Sequence, residues 1–155
     1  MTGDAGRKAP SKKGPPQPGR TRETFSWPAR VYYRDTDAGG MMFHANYLAL
    51  MECARTELLA SLGFDLGELA RRDHILFVVH SAQIAYHRPA LLNDLLTVTA
   101  DVAHVGRARL EFEQAVRRGE ETLASAKLVL ACVSARNHRP VAVPETIRSR
   151  LEGCR

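Results

Sequence analysis

No run in this chain approaches the roughly 18 apolar residues that a membrane-spanning helix requires. The positively charged N-terminus has no apolar run behind it, so a secretory signal is not expected. Cysteine is scarce. Cys53, Cys132 and Cys154 form an odd set, far apart, with no CxxC pair and no Cys/His spacing of a zinc site. A disulfide scaffold and a metal centre are therefore not expected, and the three read as ordinary thiols of a reducing compartment. No internal repeat is found. Together these features predict a cytoplasmic protein without a metal.

What is present fits one domain. A chain of 155 residues with 45% hydrophobic and 25% charged residues has an ordinary globular composition. The net charge of +5 is unevenly placed. Residues 1–22 carry Arg7, Lys8, Lys12, Lys13, Arg20 and Arg22 against Asp4 alone, in a setting of Pro, Gly and Ser. Such a segment buries too little apolar surface to offset its ordering entropy, so 1–22 is expected to be a disordered basic tail. The folded domain is expected over 23–152. We read the tail as a solubilising extension, and no nucleic-acid partner is expected. The rival reading has the tail dock a lipid-synthesis enzyme or a membrane surface.

Periodicity supplies the elements. Phe25–Tyr33 reads as a strand with Pro28 near an edge, ended by the turn formers Asp35-Thr36-Asp37-Ala38-Gly39-Gly40. Over 45–62 the pattern becomes helical, with Leu48, Met51, Arg55, Leu58 and Leu62 at spacings of three or four. Tyr47, Ala54 and Leu59 widen that stripe, as befits a helix enclosed by a sheet. Gly63 stands where a helix-ending glycine belongs. A second short helix is predicted over 66–71. Strands follow over 75–87, 95–105, 107–117 and 122–135, and a last helix over 144–151. Leu96, Val98, Ala100 and Val102 alternate onto one face, as do Leu110, Phe112 and Gln114. The four late strands are expected to form an antiparallel meander against the long helix, an α+β architecture.

By composition alone, Asp-Thr-Asp-Ala-Gly-Gly is a turn followed by a helix cap. The longer block Arg30-Val31-Tyr32-Tyr33-Arg34-Asp35-Thr36-Asp37-Ala38-Gly39-Gly40-Met41-Met42-Phe43-His44-Ala45-Asn46-Tyr47 resembles the signature of the 4-hydroxybenzoyl-CoA thioesterase family. It is most similar to the branch of Tol–Pal-associated acyl-CoA thioesterases. Met51-Glu52, Ala54-Arg55-Thr56-Glu57, Tyr86 with Arg88-Pro89-Ala90, Asp94 and Val105-Gly106-Arg107 continue the likeness. The resemblance implies a hotdog fold, a homodimer or tetramer, an acyl-CoA substrate and no cofactor. It carries the catalytic carboxylate onto Asp37, not Asp35, and the main oxyanion donor onto the backbone N–H of His44. The chain departs from the family at Met41-Met42-Phe43, which bears on acyl-chain preference.

Those roles suit the residue types. A carboxylate at Asp37 can act as general base toward water or attack the thioester carbonyl as nucleophile. N–H groups of the first helical turn, from His44 to Asn46, have no helical partner and can stabilise an oxyanion, each worth about 3 kcal/mol in such sites. Gly39 and Gly40 permit close approach of the thioester. Gly39, Gly40, Asn46 and Tyr47 are the expected substrate-contacting residues, with Asp37 and His44 catalytic. Asp35 is expected to cap the turn. Arg88, Arg107, Arg109, Lys127 and Arg136 are candidates for the CoA phosphates, and Tyr47, Met51, Val78 and Val79 for the acyl pocket. The alternative function is a binder of acyl-CoA or acyl-carrier that does not turn over. A hotdog dehydratase is disfavoured because its His-centred motif is not found.

Overall fold

The apolar stripe on the long helix finds its sheet. In the computed structural model, which describes residues 24–155, the helix α1 spans His44–Ser61 and buries Tyr47, Met51, Ala54, Arg55, Leu58 and Leu59. Leu48 and Leu62 pack at the margin of that core. The helix stops in a Schellman turn: Gly63, at φ +89°, donates to Ala60 O (2.9 Å), and Phe64 N–H donates to Leu59 O (3.0 Å). Only glycine takes that left-handed position without penalty.

Five strands form one antiparallel sheet in the order β1-β3-β4-β5-β2. They are β1 Phe25–Arg30, β2 Ile75–Tyr86, β3 Leu95–Val105, β4 Arg109–Arg118 and β5 Glu121–Ser134. The predicted first strand ends three residues early, because Tyr33–Asp35 turns into one 3-10 winding. The second short helix, α2, is Leu66–Glu68, and continues as a π-turn over Leu69–Asp73. Helix α3 covers Glu145–Glu152. Expected disorder in 1–22 concerns residues outside the described ones.

One topological expectation is corrected. Only β3, β4 and β5 form a meander; β2 crosses to the far edge and pairs with β5, Gln83 facing Lys127 and Tyr86 facing Ala124. The alternation of β3 and β4 holds as expected, with Leu96, Val98, Ala100, Val102, Leu110, Phe112, Gln114 and Val116 all buried. Burying a side chain such as Phe112 or Met51 stabilises the fold by about 1.5–3 kcal/mol. Register shifts at Val79/Ser81, Val102/His104 and Val116/Arg117 add local twist that curves the sheet over α1. Arg148 of α3 donates to Gly106 O (2.9 Å) and Arg107 O (3.3 Å), tying the last helix to the β3–β4 turn. Cys132 is buried on β5, and burial pushes its thiol up to about 11, so it packs as an inert side chain.

Candidate active site

The link from β1 to α1 is a small hairpin. Asp37 N–H donates to Met41 O (2.9 Å), Gly40 N–H to Asp37 O (3.1 Å), and Thr36 bridges to Met42. Gly40 sits at φ +75°, the left-handed position the reversal needs. Gly39 N–H donates to Asp37 Oδ1 (2.8 Å), which orients the carboxylate and leaves Oδ2 without a protein donor among the described residues. Asp35 has a different task. Its Oδ2 accepts from Tyr32 N–H (2.8 Å), and its carbonyl accepts from Phe43 N–H (2.7 Å) and the Asn46 amide (3.0 Å).

Asp37, Met41, Met42, His44, Tyr47, Tyr86, His87, Arg88 and Pro89 line one open cleft of about 290 Å³. It thus brings together four of the residues expected from sequence: Asp37, His44, Tyr47 and Arg88. His44 opens α1, where the first N–H groups precede the helical ladder, and its ring lies 4.4 Å from that of Phe43. Tyr86 donates its hydroxyl to His44 O (2.8 Å) and meets Tyr47 edge-on, ring centroids 5.3 Å apart. Partial burial, then the neighbouring Tyr47, raises the Tyr86 pKa above its ordinary value, so the phenol stays a donor. Tyr47 in turn accepts from Ala90 N–H (2.9 Å).

Other expected contacts fall elsewhere. Gly39 and Gly40 shape the hairpin but do not line the cleft, and the Asn46 side chain is spent on Asp35. Met51 is fully buried, while Val78 and Val79 stand exposed on β2 and do not line this cleft. Of the five cations proposed for phosphate, Arg88 alone borders it; Lys127 pairs with Glu113 (3.3 Å). A larger groove of about 470 Å³ on the opposite side of the sheet, with Thr99, Asp101, Glu113, Ser125 and Lys127, shares no residue with the Asp37 cleft. Sequence reasoning did not assign Tyr86 or His87. Tyr86 entered only as part of the family likeness, near Arg88-Pro89, and that names no chemistry by itself.

A carboxylate in a tight turn beside a helix start, under a curved antiparallel sheet, defines a hotdog thioesterase class. The chain belongs to the thioesterase superfamily, whose profile matches residues 39–125, and is an enzyme of thioester hydrolysis. It is 42% identical over 125 residues to an acyl-CoA thioesterase, YbgC, of Haemophilus influenzae, covering 81% of this chain and 92% of that one. It is 38% identical over 124 residues to the acyl-CoA thioester hydrolase YbgC of Escherichia coli O6:H1, covering 79% and 92%. Among solved structures, a probable thioesterase from Bartonella henselae superposes with a TM-score of 0.76 at 34% identity, covering 79% of this chain and all (100%) of that one.

Proposed function

We infer that this acyl-CoA thioesterase hydrolyses its substrate with Asp37 as the catalytic carboxylate and the start of α1 as the oxyanion site. The observation that carries the reading is that Asp37 and the first residue of α1 border one cleft. Asp37 either takes the proton of an attacking water or attacks the carbonyl carbon itself; both routes require it beside that carbon. As the carbonyl oxygen gains charge, the His44 N–H faces it, and the helix dipole favours the negative charge. The C–S bond then breaks and CoA leaves as thiolate, to be protonated in solvent. On the base route this frees the acid directly; on the nucleophilic route a water then cleaves the mixed anhydride on Asp37, releasing the acid and restoring the carboxylate.

The rim supports an acyl ligand. Met41 and Tyr86, 41% and 47% exposed, line the cleft and give it an apolar border for an acyl group. Arg88 is the cation best placed for a CoA phosphate. The chain works as at least a homodimer in this reading, and the branch that associates with Tol–Pal systems and a cytoplasmic setting are parts of the proposal, while docking of the tail on a lipid-synthesis enzyme or a membrane surface is the rival reading. Incubation with a panel of acyl-CoA chain lengths, read as free CoA thiol, tests hydrolysis against mere binding. Turnover at catalytic enzyme levels is expected. Tight binding of every substrate with no thiol release would establish the binder instead.

A further inference from the structure

The hairpin that holds Asp37 does not stand alone. Its second arm lies against residues 89–91 of the segment joining β2 to β3: Met42 N–H donates to Ala90 O (2.8 Å), and Met41 bridges to Leu91. Through Met41, whose carbonyl accepts from Asp37 N–H, that segment is two hydrogen-bonded steps from the carboxylate residue. The segment itself is irregular backbone, with Asn93 at φ +70°, so something else must fix its shape.

Val31 holds the segment's far end, accepting from Asn93 N–H (2.9 Å) and donating to Asp94 O (3.0 Å), and the Tyr47 hydroxyl holds Ala90 N–H. Asp94 and Arg118 tie the two ends together. Asp94 Oδ2 accepts from Leu91 N–H (2.8 Å) and from Arg118 Nη1 (2.6 Å). Arg118, the last residue of β4, also reaches Pro89 O (3.5 Å) with Nη1, while Nη2 donates to Glu121 Oε2 (2.7 Å). One guanidinium therefore grips both ends of the 89–94 segment and anchors it to the β4–β5 hairpin. The planar fork explains the choice of Arg, since one side chain serves two carboxylates at once.

We propose that Arg118, acting through Asp94, is a positioning residue for Asp37: it sets the 89–94 segment against which the catalytic hairpin is registered. This rests on Asp37 being the catalytic carboxylate. A displacement of about 1 Å at a reacting group costs up to about 10²-fold in rate, so Arg118→Gln lowers kcat by about 10- to 100-fold while KM stays near its original value. Arg118→Lys, which keeps one charged bond to Asp94, recovers most of that loss. Arg118→Gln adds nothing further in an Asp94→Asn background, because both act on one path. Arg71→Gln, which removes a surface ion pair with Glu68 on α2, leaves kcat unchanged.

The experiment measures kcat and KM for these variants, with amide exchange at Met42 and Asp37. Faster exchange at those two amides, with the β3–β4 ladder unchanged, is the expected result for Arg118→Gln. Wild-type kcat in folded Arg118→Gln, or a kcat loss with exchange raised uniformly through the sheet, overturns the proposal. Asp37→Asn in the same series separates the claims. If Asp37→Asn is inactive while Arg118→Gln is fully active, only the positioning role fails. If Asp37→Asn remains active, the carboxylate reading fails and the positioning role with it.

Discussion

At Asp37, two adjacent glycines serve different ends. A Cβ on Gly39 would meet Asp37 Oδ1 at 3.1 Å, so the added methyl presses on the carboxylate. A Cβ on Gly40 would meet nothing within 4 Å, but the residue sits at φ +75°. Gly39→Ala is therefore expected to lower kcat about tenfold with little change in melting temperature, because it moves the reacting group. Gly40→Ala is expected to cost about 1 kcal/mol of stability through backbone strain. Paired kinetics and thermal melts check both; the reverse pattern would mean the hairpin is arranged otherwise. At this scale the sequence was legible where chemistry is local. Asp35 caps its turn as expected, because an Asp two residues before the reactive one can reach only nearby N–H groups. Asn46 was not legible: its amide partner, Asp35 O, lies 11 positions away, and spacing alone could not assign it.

Among the elements, α1 and the sheet share one buried polar junction. Arg55, only 4% exposed, donates to Gln114 Oε1 (2.6 Å) and pairs with Glu52. Desolvation by burial lowers its pKa, an effect opposed by Glu52. Gln114 Nε2 donates onward to Met51 O (3.1 Å) and Thr99 O (2.9 Å), so one amide joins the helix, β4 and β3. Gln114→Ala takes an acceptor from a buried guanidinium and is expected to cost about 2–3 kcal/mol. Urea unfolding measures the loss; turnover below the transition should be near normal, since Gln114 does not border the Asp37 cleft. Element boundaries were largely legible, because period 3.6 and period 2 are properties of short windows: α1 begins and ends within a residue of expectation. The partner of β2 was not legible. Its sequence fixes which face is apolar, but not which edge of the sheet it joins, and that choice is made by contacts some 50 residues downstream in β5.

The whole molecule leaves one edge conspicuously open. β1, at one edge, carries Pro28, which blunts strand pairing; β2, at the other, runs for 12 residues with Val78 and Val79 exposed. We expect β2 to meet a second copy, and light scattering at micromolar concentration to give a dimer. Val79→Lys places a charge on that edge and should shift the protein toward monomer; a wild-type chain that is monomeric and fully active would contradict the assembly. Net charge was readable from sequence, but not this edge, since exposure of Val79 depends on where β2 docks. The central claim, that this thioesterase works through Asp37, is tested most directly by hydrolysis of an acyl-CoA by Asp37→Asn beside Asp35→Asn, with a thermal melt of each. Asn keeps the size of Asp and its capacity to accept from Gly39 N–H, but it is neither base nor nucleophile. The account predicts a folded Asp37→Asn that is slower by about 10²- to 10⁴-fold or more, and an Asp35→Asn that loses stability rather than chemistry. A folded Asp37→Asn with near-normal turnover would contradict it.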